Sequence, residues 1–219
     1  MVAISKLKVF ASWLFIAMTY SAQIESAEVT ANDGTSVEYS DDPATLLISF
    51  REIFPEFAEQ DPTPLVRVYG DGRVVVFHPF YMKQAGQYEM TLSRAELEDM
   101  VLQLTLALVN FDPQAVKQQK KALDDLLLAS ASETNEVTIF HDSDATISVF
   151  RVNLDSYLPA GNTGQQRFAP DLERSWRGLR FDARDYVGID SIQRLMSAET
   201  AIRALTTRDE LVRVDSPNG

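Results

Sequence analysis

The chain contains only two histidines, His78 and His141. Each follows a Phe at the end of a β-rich run, Val74-Val75-Val76-Phe77 and Val137-Thr138-Ile139-Phe140. If those runs lie side by side, the two imidazoles approach one another. Asp142 or Asp144 then completes a two-His, one-carboxylate set that suits a hard or borderline divalent ion. Such an ion could activate water for hydrolysis. A simpler reading competes with it. Asp142-Ser143-Asp144 is good turn chemistry by itself, and His78 before Pro79 marks a strand end. A second set is Arg174, Trp176, Arg177, Arg180 and Arg184, which joins an aromatic plane to forked guanidinium donors. That chemistry suits carboxylate, phosphate or sugar recognition. It suits equally well a segment pinned over an acidic sheet by ion pairs, with Trp176 plugged into the core, and this structural reading is the simpler one.

Standard catalytic signatures are missing. There is no Gly-x-Ser-x-Gly elbow, no phosphate-cradling Gly-rich loop before a helix, no His-Glu-x-x-His and no calcium-loop pattern. Gly70-Asp71-Gly72 leads into a strand and reads as a turn. The adjacent carboxylates Glu98-Asp99 and Asp124-Asp125 fall in helical patterns, where neighbours diverge, so neither pair can flank one bond. Phe80, Tyr81 and Tyr88 read as core or sheet-face packing. No cofactor is implied, and the balance leans away from an enzyme.

Net charge is −12, unevenly spread. Residues 28–163 hold 22 acidic against 9 basic side chains, whereas residues 164–213 hold 8 against 9, every basic one an Arg. An acidic body repels phosphates, which argues against nucleic acid and anionic membrane surfaces. The arginines of the final quarter pair with that body, or hold an acidic partner; the first is the simpler reading. Cysteine is absent, so no disulfide, thiolate metal site or lipid-bearing N-terminal Cys is available.

The elements that must position these residues follow from periodicity. Leu46–Phe50 reads as a strand. Leu65–Tyr69 and Arg73–Phe77 flank Gly70-Asp71-Gly72 as a hairpin, because Asp-Gly readily takes the positive φ of a tight turn. Gln87–Leu92 alternates as a third strand. Ser93-Arg94-Ala95-Glu96 is a capping box opening a helix with Leu97, Met100, Val101, Leu104 and Leu108 on one face. Asp112-Pro113 restarts a helix to about Leu128 with Lys117, Lys120 and Lys121 on its polar side. Glu136–Phe140 and Ala145–Val152 form a second hairpin candidate. Residues 153–188 show no steady period; a loop this long is either functional or hides short elements. Asp190–Gln193 offers a cap for a last helix carrying Ile192, Leu195, Met196, Ile202 and Leu205. The class is α+β: an antiparallel sheet from two hairpins and flanking strands, packed by about three helices.

The first 27 residues carry an address. Lys6 and Lys8 precede the apolar run Val9–Met18, and small residues follow at Thr19–Ala22 and Ser26-Ala27. That order is a secretory signal, with cleavage expected between Ser21 and Ala27. Ten helical residues rise about 15 Å, too short for a stable span. No later segment is apolar enough to span, so the cleaved chain is expected to be free of the membrane. The expected organisation is a signal over 1–27, a disordered lead-in over 28–44, one α+β domain over 45–207 and a flexible tail over 208–219.

Tyr69-Gly70-Asp71-Gly72-Arg73, Gly86-Gln87-Tyr88, Leu92-Ser93-x-x-Glu96-Leu97 and Trp176-Arg177-Gly178-Leu179 together resemble a group of uncharacterised exported bacterial proteins. The resemblance covers roughly residues 46–205. It implies export and an envelope context, and no activity or catalytic residue. The expected function is an exported binding or interaction module in the periplasm or outside the cell, with an unknown protein or a small anionic ligand as partner. The alternatives are a metal-assisted hydrolase using His78, His141 and Asp142 or Asp144, and a structural oligomeric envelope protein.

Overall fold

The computed structural model describes residues 26–31, 34–57, 61–131, 146–159 and 171–214. Two antiparallel sheets and four helices make the fold α+β, as the sequence predicts. The larger sheet has seven strands: β3 (Leu46–Ile53), β4 (Val66–Tyr69), β5 (Arg73–His78), β6 (Gly86–Thr91), β7 (Ile147–Asn153), β9 (Asp171–Arg177) and β10 (Val212–Val214). Their order is β10-β6-β5-β4-β3-β7-β9. The smaller sheet joins β1 (Ser26–Thr30), β2 (Ser36–Ser40) and β8 (Ser156–Leu158).

The β4–β5 hairpin forms where Asp71-Gly72 predicts it. Gly72 takes φ 84°, a value L side chains rarely adopt, and its carbonyl accepts from the Leu92 amide at 2.9 Å. Helix α1 (Arg94–Val109) opens on the predicted capping box: Ser93 Oγ accepts from the Glu96 amide, and the Glu96 carboxylate accepts from the Ser93 amide at 2.9 Å. Helix α2 (Pro113–Ala131) starts with Asp112 accepting from the Gln114 amide at 2.8 Å. Helices α3 (Leu179–Asp185) and α4 (Asp190–Ala204) complete the set.

Side-chain alternation puts Ile48, Phe50, Phe150, Val152, Leu172 and Trp176 on one sheet face, where α1 and α4 cover them. Phe50 and Phe150 stack at 5.2 Å in the middle of that face. From the helices, Leu97, Val101, Leu104, Leu108, Ile192, Leu195 and Ile202 fill the opposing layer. At roughly 25 cal/mol for each Å² of apolar surface removed from water, this layer is the main source of stability. Val37, Tyr39 and Tyr157 of the smaller sheet join the same core.

Several expectations meet a different outcome in the structure. The lead-in expected over 28–44 is not disordered where it is described: β1 and β2 pair over five positions, and Val37 and Tyr39 alternate into the core. The folded chain also reaches back into the expected signal, because Ser26 and Ala27 belong to β1 and Ala27 is buried. The stretch 153–188 does hide short elements where it is described: β8, β9 and α3, the two strands pairing with partners elsewhere in the chain. Val212–Val214 is not a loose tail but pairs with β6. Phe80 and Tyr81 do not pack in the core either; they sit exposed at the β5–β6 turn. Residues 1–25, and the first arm of the second hairpin, Glu136–Phe140, lie outside the described residues.

Candidate functional site

Helix α2 runs beside β9, the last strand of the large sheet among the described residues, and a groove of about 600 Å³ opens between them. Pro113, Lys117, Lys120 and Lys121 line it from α2, and Ser175, Trp176 and Arg177 from β9. Lysines at 117, 120 and 121 share one helix face because 3.6 residues make a turn. The groove thus gathers three of the chain's six lysines and one arginine against two acids, Asp124 and Asp182.

Trp176 anchors the floor. It is only 7% exposed and meets Phe111 edge-on at 5.2 Å. Its indole N–H donates to Asp182 Oδ2 at 2.6 Å, and Asp182 Oδ1 accepts from Lys120 Nζ at 2.6 Å. Lys120 Nζ also lies 4.9 Å from the Tyr186 ring centre and 5.7 Å from that of Trp176, within cation–π range. The Tyr186 hydroxyl donates to Asp124 Oδ1 at 2.7 Å. Burial first, then this bond and the nearby carboxylates, push the phenol well above its ordinary range, so it stays a neutral donor. Lys120 is therefore held in place between a carboxylate and two rings. Lys121 pairs only with Asp125 on the exposed side at 2.5 Å, a contact worth little in water. Lys117 makes no ion pair among the described residues.

The five candidates of the Arg/Trp segment do not form one site. Trp176 and Arg177 line the groove. Arg174 borders a smaller adjoining hollow, donating to the Glu173 carbonyl at 2.8 Å. Arg180 turns away, into α4, where its Nε donates to Glu199 Oε1 at 2.9 Å. Arg184 is exposed and pairs with its neighbour Asp185 at 2.7 Å. Internal pairing thus accounts for part of the arginine-rich quarter: Arg180 and Arg203 hold Glu199, and Arg208 holds Glu96.

The metal candidates are only partly described. His78 ends β5 and stacks edge-on against Tyr88 at 5.2 Å, and burial lowers its pKa. His141, Asp142 and Asp144 lie outside the described residues. Among the described residues no group of three or more His, Asp or Glu side chains is placed to hold a metal ion. None of their helices is long and apolar enough to cross a membrane.

Sequence reasoning missed Lys117, Lys120, Asp182 and Tyr186 as neighbours of Trp176. The only available signal was the Lys-x-x-Lys-Lys spacing on a helix opened by Asp112-Pro113. No protein-family model, curated protein or solved structure matches the chain.

Proposed function

We propose that this chain is an exported binding protein of the bacterial envelope that holds an anionic ligand in the groove between α2 and β9. One observation carries the reading: in a chain of net charge −12, half the lysines converge with Arg177 beside a fixed Trp–Asp–Lys triad. Cations gathered on an acidic protein attract and orient an anion only where they stand. Asp182 holds Lys120 and the Trp176 indole in place, so little side-chain freedom is lost when a ligand arrives. The basic-then-apolar N-terminus and the resemblance to exported bacterial proteins support the compartment.

Trp13 and Trp176 are the only tryptophans, so a protein lacking the signal reports on the groove through Trp176 alone. Citrate, inorganic phosphate and hexaglutamate are titrated against it by fluorescence. At least one is expected to give a saturable change that weakens with salt. Lys117→Glu combined with Arg177→Glu is expected to weaken it on the order of tenfold or more, the scale of one lost charge-assisted hydrogen bond. The reading fails if none of the three probes saturates, or if the charge-reversed variant binds as well.

A further inference from the structure

Strand β9 has one sheet neighbour among the described residues, β7, and pairs with it over seven positions without a bulge. The opposite end of the sheet is β10, which has only three residues. Free edges are normally blunted by shortness, proline, a bulge, charged side chains or a covering helix; β9 is seven residues long with no proline and no bulge, and what guards it is its charged side chains and α2, which stands across the groove from it.

The direction of the β9 backbone follows from one bond. The Gly178 amide donates to the Thr146 carbonyl at 2.9 Å, in register with the β7–β9 ladder. Antiparallel pairs alternate between bonded and non-bonded positions. Positions 174 and 176 therefore turn their N–H and C=O groups toward β7, and Glu173 and Ser175 turn theirs outward. The Glu173 carbonyl indeed accepts from the Arg174 guanidinium at 2.8 Å, on the outer side. Ser175 lines both the main groove and the adjoining hollow, and it is exposed. An amide and a carbonyl with no partner among the described residues thus open into a channel walled on its far side by Lys117 and Lys121.

Resting on the anion-binding reading above, we infer that the ligand is an extended acidic peptide that adds to the β9 edge as a further strand. Main-chain hydrogen bonds to Ser175 supply affinity and register. Alternate acidic side chains reach Lys117 and Lys121 on the α2 wall. Helix α2 stands alongside the edge, so it keeps off a second copy of the whole sheet and admits a single extended chain. The sign of the charge selects the peptide: the channel repels basic strands and the acidic body offers them other places to bind.

The test uses the signal-free protein and three probes: the hexapeptide Glu-Val-Glu-Val-Glu-Val with blocked ends, the same peptide N-methylated at alternate residues, and citrate. N-methylation removes backbone donors and leaves the charge untouched. The parent peptide is expected to bind at least tenfold tighter than either of the others. It is also expected to slow amide hydrogen exchange at Ser175. Ser175→Pro removes the outward N–H without touching the β7 ladder, and is expected to abolish the preference for the parent peptide; an unchanged thermal unfolding midpoint verifies its fold. If citrate and both peptides bind alike and the Ser175 exchange rate is unmoved, strand addition is wrong while anion binding stands. If none of these probes binds and phosphate and hexaglutamate do not bind either, both readings fall; if only those two bind, strand addition alone is wrong. A concentration-dependent dimer protected at Ser175 would show the edge to be taken by a second copy, and would also overturn the proposal.

Discussion

Glu199 is the residue whose surroundings most constrain the fold. Its side chain is 0% exposed, yet it carries a charge. Ser148 Oγ donates to one carboxylate oxygen at 2.7 Å; Arg180 and Arg203 donate to the other at 2.9 and 2.8 Å. Arg203 also bonds Glu52 and lies over the Phe50 ring at 5.2 Å. Burial alone raises the carboxyl pKa. The bonds from Ser148 and Arg203, the Arg203 charge and the Arg180 bond outweigh it, and hold the group below its ordinary 4.5. A depressed pKa contributes stability that is complete above the unfolded value and is lost as pH falls from there through the folded value. Glu199→Gln is expected to cost about 1–3 kcal/mol at neutral pH, because it takes the charge from a fully buried acceptor of three bonds, while Arg180 stays half exposed and Arg203 keeps Glu52 as a partner. Its stability is also expected to change less than that of the native protein as pH falls below 4.5. Urea unfolding midpoints on either side of that value measure both. An undiminished acid dependence in the variant would mean that other carboxylates govern the transition. The same network explains why Arg180, four residues from Trp176, is lost to the groove: a buried carboxylate claims it.

At the scale of elements, the tightest junction is where the β4–β5 hairpin meets the segment between β2 and β3. The Gly70 amide donates to the Thr45 carbonyl at 3.0 Å. A Cβ on Gly70 would stand 2.3 Å from the Ser40 carbonyl oxygen and 2.7 Å from that of Asp42. Backbone cannot yield as a flexible side chain can, so Gly70→Ala is expected to cost about 1–3 kcal/mol or more through overpacking. Gly188, between α3 and α4, has nothing within 4 Å of such a Cβ. Gly188→Ala is expected to be neutral or to stabilise by about 0.4–1 kcal/mol, because it restricts the unfolded chain. Thermal unfolding of the pair separates steric conflict from glycine flexibility, and equal losses at both sites would refute the junction argument. This hairpin and α1 were legible in sequence because their signals are local: Asp71-Gly72 between Val-rich runs, and Ser93 three residues before Glu96. Strands β8 and β9 were not. The Glu38 partner of Ser156 is 118 residues away, and β9 shows only Leu172 and Trp176 as apolar alternation among charged neighbours. The cap expected at Asp190 failed similarly: Ile189 holds the N-cap position with no side-chain bond, and burial of Ile189 fixes the helix start instead. Of the groove, Trp176 and Arg177 were legible by composition. Lys120 and Asp182, 62 residues apart, meet only through the tertiary fold.

For the molecule as a whole, the N-terminal hairpin is a fastening. Strand β1 pairs with β2 from Ser26–Ser40 to Thr30–Ser36, and β2 pairs in turn with β8, which follows β7 of the large sheet after a short connection. Ser26 Oγ donates to Asp155 Oδ2 at 2.8 Å, beside β8, and Asp155 donates its amide to the Glu38 carbonyl at 2.8 Å. Ala27 is 4% exposed within the common core. These contacts bear on where the proposed export signal would be removed. Cleavage after Ala27 would delete the first two residues of β1, with a buried methyl group and a side-chain bond. Cleavage after Ser21 or Ala22 leaves the strand intact and uses the other cluster of small residues. If the proposed signal is removed, the remaining chain is therefore expected to begin at Ala22 or Gln23, as read by intact mass or N-terminal sequencing. A chain made to begin at Glu28 is expected to unfold at lower denaturant, losing about 1 kcal/mol or more for the hydrogen bond alone. An exported protein that begins at Glu28 and unfolds at the same midpoint as one beginning at Gln23 would show that β1 does not fasten the two sheets.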